Sequence, residues 1–175
     1  MSTPTASSAA LPIAHGLLRI LIVLNWLFGA AILVLLLFMP HEQWILQSFK
    51  LAPSPDADRL ITGLRAVAVL GVACVPVNHF ILKRLLAMVA SVRAGDPFVA
   101  SNAQRLRAIA WALFSLQIVS LVVGFIAKAV STPAHPLHLD AGLSPTGWLA
   151  VLLTFLLASV FAEGARMRDD LEGTV

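Results

Sequence analysis

Four long apolar runs, parted by short polar intervals, make up most of the chain. The first extends from Leu17 to Met39 and is interrupted only by Arg19 near its start. The others cover about Leu60–Leu82, Ala108–Val130 and Thr146–Ala165. A helix needs about 20 apolar residues to cross about 30 Å of hydrocarbon, and each run meets that length. The pattern therefore predicts an all-α fold, an integral membrane bundle of four transmembrane helices. The spans are 17–39, 60–82, 108–130 and 146–165, within one domain at 17–166, with an N-terminal tail at 1–16 and a cytoplasmic C-terminal tail at 167–175. A cleaved signal peptide is the rival reading of the first run. Its apolar core would be about 7–15 residues long and be followed by small residues. Here the run is longer and ends in Met39-Pro40-His41-Glu42, which favours an uncleaved helix.

Between spans 2 and 3, Leu85, Leu86, Met88, Val89 and Val92 interleave with Lys83, Arg84, Ser91 and Arg93 at near-helical spacing. This predicts a short amphipathic cytoplasmic helix along the membrane surface. Gly95 would stop it. Two starts for the third helix stay open: Asp96 as N-cap with Pro97 in first helical position, or Ser101 and Gln104 as a capping box. Pro76 is expected to bend the second span.

Charge supplies the orientation. Arg19, Lys83, Arg84, Arg93, Arg105, Arg107, Arg166 and Arg168 fall on one side, and Lys50, Arg59, Arg65 and Lys128 on the other. The positive-inside rule puts the richer side, with both termini, in the cytoplasm. Trp44 and Trp148 then fall at the outer interface and Trp111 at the inner one. Only 12% of residues are charged and 59% are hydrophobic, whereas soluble domains carry about a quarter charged residues. The net charge of +3 accordingly reads as membrane orientation, not direct nucleic-acid binding. Cys74 is the single cysteine, which excludes an intrachain disulfide and a multi-cysteine metal site.

Lipid provides no hydrophobic drive for helix association, so small residues and interhelical hydrogen bonds must hold the spans together. Ala150, Thr154, Ala158 and Ala162 form a seam at spacing four; Ser120 and Gly124 lie on one side of the third span with Gln117. Asn25 and Gln117 sit at similar depth and are expected to bond each other across helices as packing glue.

The residues do not assemble a catalytic constellation. No Asp, Glu, Lys or Arg lies near the centre of a span, where proton-coupled transport normally keeps an ionisable group. Glu163, near the inner end of span 4, has Arg107 or Arg19 as pairing options. Haem ligation by His79 would need a second histidine at its depth, and His15 lies outside the span. His135, His138 and Asp140 carry metal-ligating chemistry, but with Pro136 among them they read as a solvated loop. No metal, cofactor or enzymatic activity is expected.

Two stretches are distinctive: Ala94-Gly95-Asp96-Pro97-Phe98-Val99-Ala100-Ser101-Asn102-Ala103-Gln104-Arg105-Leu106-Arg107, and the closing segment from Val160 through Glu163, Arg168, Asp169 and Asp170 to Val175. With four spans in a chain of this length, they resemble the bacterial membrane family catalogued as domain of unknown function 2975. The resemblance implies no catalytic residues. It does imply a partner, because members are often encoded beside a small Cro-like DNA-binding regulator. The expectation is a regulatory or scaffold protein of the bacterial cytoplasmic membrane. It would dock that regulator through Arg93, Asp96, Pro97, Phe98, Arg105, Arg107, Asp169 and Asp170. The basic loop and acidic tail would pair with each other until a partner competes. A small transporter or channel using the Asn25–Gln117 layer is the alternative.

Overall fold

The computed structural model describes residues 6–38, 55–131 and 141–172. The described residues form four α-helices and no strand: α1 Ala6–Phe38, α2 Pro55–Arg93, α3 Ala100–Val130 and α4 Pro145–Glu172. Each is long and apolar enough to cross a membrane, the build of a multi-pass membrane protein. Trp44, the 40–54 loop and the His135, His138 and Asp140 cluster lie outside the described residues.

Two elements differ from the sequence expectation. Residues 6–16 belong to the start of α1, with Pro12 inside it. The amphipathic stretch 83–93 is not a separate helix; it continues α2 without a break. Nothing between Leu82 and Arg93 lacks a backbone donor or favours a left-handed turn, so intrahelical bonding carries on until Gly95.

Each helix packs chiefly against its neighbours in the chain: α1 on α2, α2 on α3, α3 on α4. The pairs run antiparallel. Against α1, Gly29 meets Val75 and Gly71 meets Ile32; between α2 and α3, Gly63 lies against Val130 and Ile81 packs with Ile109 and Ala112. A Cβ on Gly29 would sit 2.9 Å from Val75 Cγ2, so the missing side chain sets the closeness of that crossing. Beside it, Asn25 Nδ2 donates to the Val75 carbonyl at 3.0 Å, and Trp26 Nε1 donates to His79 Nδ1 at 3.1 Å.

The α3–α4 interface combines rings and small residues. Trp148 packs on Phe114, Phe114 on Trp111, and Trp111 on Phe155, all edge to face. The Gln117–Ser120–Gly124 stripe faces the start of α4, as its small residues suggest. Gln117 Nε2 donates to the Ser144 carbonyl at 3.3 Å, and Gly142 N donates to Ser120 Oγ at 3.3 Å. Gly142 takes φ +120 and lies so near Gly124 that a Cβ there would come within 2.7 Å of the Gly142 Cα.

Asn25 and Gln117 therefore do not bond each other. They belong to helices that are not neighbours, and each spends its amide on a backbone carbonyl of the helix or loop beside it. The seam of α4 is also displaced. Its buried positions are Val151, Ala158 and Ala165, whereas Ala150 and Ala162 are exposed. A four-residue step turns about 40° round an α-helix and a seven-residue step about 20°, so only the latter stays on one narrow face.

Candidate functional site

At the end of the array where α2 stops, α3 starts and α4 stops, polar side chains bind three elements together. Gly95 adopts φ +85, closing α2 in the left-handed conformation that glycine takes without a Cβ penalty. Gly95 N donates to the Val92 carbonyl and Asp96 N to that of Ser91, the paired bonds of a Schellman turn. Thus the glycine stop is where the sequence puts it.

Neither proposed cap starts α3. The helix begins at Ala100 after an extended Val99 that makes no side-chain cap bond. Asp96 is engaged elsewhere, in an ion pair with Arg168 near the end of α4. The residue that organises this region is Asn102, which is fully buried. Its Nδ2 donates to Ser91 Oγ at 2.7 Å and to the Pro97 carbonyl at 2.9 Å, while its Oδ1 accepts from Arg105 Nη1 at 2.7 Å. Ser91 Oγ in turn donates to the Met88 carbonyl. One amide thereby ties the end of α2, the connecting turn and the first turns of α3.

Phe98 fastens the same turn to α4. Its ring lies 5.3 Å from that of Phe161, above Gly164, where a Cβ would come within 3.0 Å of Phe98 Cδ1. Phe98 still leaves 45% of its surface open. A groove of about 530 Å³ opens between α3 and α4, with Arg107, Arg166 and Asp169 at its polar end and Ala158, Ala162 and Phe155 along its apolar wall.

The residues predicted to dock a partner thus divide into two groups. Asp96, Pro97, Phe98 and Arg105 make internal contacts. Arg93, Arg107, Asp169 and Asp170 are exposed, and Arg107 and Asp169 share the groove. Loop and tail do meet in an ion pair in which the loop supplies the carboxylate of Asp96 and the tail the guanidinium of Arg168. Glu163 pairs at 3.5 Å with Arg166, not with Arg107 or Arg19. Ser91, Asn102, Phe161, Gly164 and Arg168 were not singled out from the sequence. Phe161 and Gly164, three apart, carried a usable signal: a ring beside a gap on one helical face.

Among the described residues no group of three or more His, Cys, Asp or Glu stands ready to hold a metal ion. His79 Nδ1 accepts from Trp26.

Four membrane-competent antiparallel helices, joined at one end by a hydrogen-bonded polar turn, define the class: a small all-helical multi-pass membrane protein. Residues 40–175 match the family described as protein of unknown function DUF2975, and the chain belongs to that family. The match begins beyond the end of α1. No curated protein and no solved structure matches the chain.

Proposed function

We propose that this is a non-enzymatic regulatory or scaffold protein of the bacterial cytoplasmic membrane. Its basic end faces the cytoplasm and docks a small soluble regulator. The observation that carries the reading is the joining of the 94–99 turn to α4 through Asp96–Arg168 and Phe98–Phe161. Two chain segments far apart in sequence become one surface, with Arg93, Arg107 and Asp169 exposed around it. A helix-turn-helix partner is the occupant that the family resemblance implies. Separate backbone partners for Asn25 and Gln117 favour this reading over a small transporter, which would need those amides in one shared path.

The test is co-purification from detergent with the neighbouring regulator. Arg93→Gln with Arg107→Gln should weaken recovery, and raised salt should do the same, because exposed charges are screened over about 8 Å at physiological ionic strength. Recovery unchanged by both would refute docking through this surface. Orientation has its own check in a Cys74→Ala background. A cysteine at the exposed Ser101 should be shielded from an impermeant thiol reagent in intact cells, and one at Leu143, 83% exposed at the opposite end, should react. Labelling of Ser101 from outside overturns the cytoplasmic assignment.

A further inference from the structure

Beside the buried Asn102, on the other flank of α3, a second cleft of about 460 Å³ opens between the end of α2 and the start of α3. Lys83, Arg84 and Arg105 line it with Ser101, Gln104 and Ala87, so it has three cations, two neutral polar side chains and no carboxylate. Two of the cations are held in place. Arg84 lies over the Phe80 ring with its guanidinium carbon 3.5 Å from the ring centroid, and Arg105 is bonded to Asn102 Oδ1. A guanidinium so placed keeps further N–H donors for an oxyanion.

The level of this cleft along the helices identifies its ligand. Between Arg107 and Lys128 α3 carries no charged residue, a stretch of about 32 Å at 1.5 Å per residue, and Arg105 lies about 3 Å beyond Arg107. That slightly exceeds the hydrocarbon thickness of about 30 Å. Arg105 therefore lies at the level of the lipid phosphates, and Lys83 and Arg84 close the apolar length of α2 at the same level. We infer that the Lys83–Arg84–Arg105 cleft is a binding site for the phosphate of an anionic phospholipid headgroup. The cleft shares only Gln104 with the α3–α4 groove, and it stands whether or not a protein partner exists.

A hydrogen bond to a charged group contributes about tenfold in affinity, so removing Lys83 and Arg84 together should weaken the site on the order of a hundredfold. Native mass spectrometry of the full chain in detergent, with equal amounts of added phosphatidylglycerol and phosphatidylcholine, reads this directly. The wild type should retain phosphatidylglycerol preferentially, and Lys83→Gln with Arg84→Gln should lose the preference. Lys83→Gln alone removes only an exposed side chain and should lose part of it, which keeps the test decisive if the double variant does not fold. Arg93→Gln lies at the same end but outside the cleft and should keep it. Equal retention of the two lipids by the wild type overturns the site, as does an equal loss in Arg93→Gln, which would signify diffuse charge attraction. Inorganic phosphate should not displace the lipid at millimolar concentration; displacement by it would show a site for the free anion and overturn the lipid assignment.

Discussion

Asn102 serves Ser91, Pro97 and Arg105 through one amide that has no exposure to solvent. Leucine at this position would leave the Arg105 guanidinium and the Pro97 carbonyl short of a partner. A buried polar group stripped of its bond costs about 1–3 kcal/mol. Asn102→Leu should accordingly lower the melting temperature in detergent, while Ser101→Leu, one residue away and exposed, should not. Equal melting of the two variants would show that the knot adds no stability. Gly29 is the matching case between helices. Gly29→Leu should be destabilising by about 1–3 kcal/mol through overpacking, because its Cβ alone would stand 2.9 Å from Val75 Cγ2. Val75→Ala should recover part of the loss, and an additive pair of effects would rule out the contact as the cause.

At the scale of the element, the face that α4 turns to α3 decides which small residues matter. Ala158 is 5% exposed and Ala162 is exposed. Ala158→Leu should therefore reduce thermal stability by about 1–3 kcal/mol, and Ala162→Leu should leave it nearly unchanged. The reverse order would restore the four-residue seam. The number of helices and their apolar lengths were legible because a hydrocarbon slab imposes a length and an apolar composition on whatever crosses it, but the polar continuations of α1, α2 and α4 beyond those lengths were not. The glycine stop at 95 was legible because left-handed backbone has a residue signature. The bonds of Asn25 and Gln117 were not, since depth along a helix is written in hydropathy but the identity of the adjacent helix is not. Asn102 escaped notice for the same reason: Ser91 and Pro97 lie on another helix and in a turn. The two cap motifs before α3 misled because Asp96 is drawn to Arg168, a partner 72 residues away, and that competition has no local trace.

Across the whole molecule, α1 touches α2, and α4 touches α3, with little between α1 and α4. The arrangement is a folded ribbon more than a closed bundle, and most of α1, including Leu24, Trp26 and Phe28, faces outward. Thiol crosslinking in a Cys74→Ala background tests this. Cysteines at Ile32 and Gly71, which face each other across α1 and α2, should be joined within one chain by a short bifunctional reagent. Cysteines at Leu24 and Leu153, exposed on α1 and α4, should not. An intrachain product from the second pair would mean that the ribbon closes in the membrane.

A ribbon of this kind also has a history written into it. Chains are made from the N-terminus at about 5–20 residues per second, and helices settle in the bilayer before they associate. When α2 leaves the ribosome its packing surface on α1 is already in place, and the same holds for α3 on α2 and for α4 on α3. Each helix after the first has an earlier neighbour to pack on as soon as it inserts. The exception is the 94–99 turn: Asp96 and Phe98 are translated long before Arg168 and Phe161, which complete their contacts. The surface at that end is therefore finished only after Phe161 and Arg168 have been made, long after the turn itself.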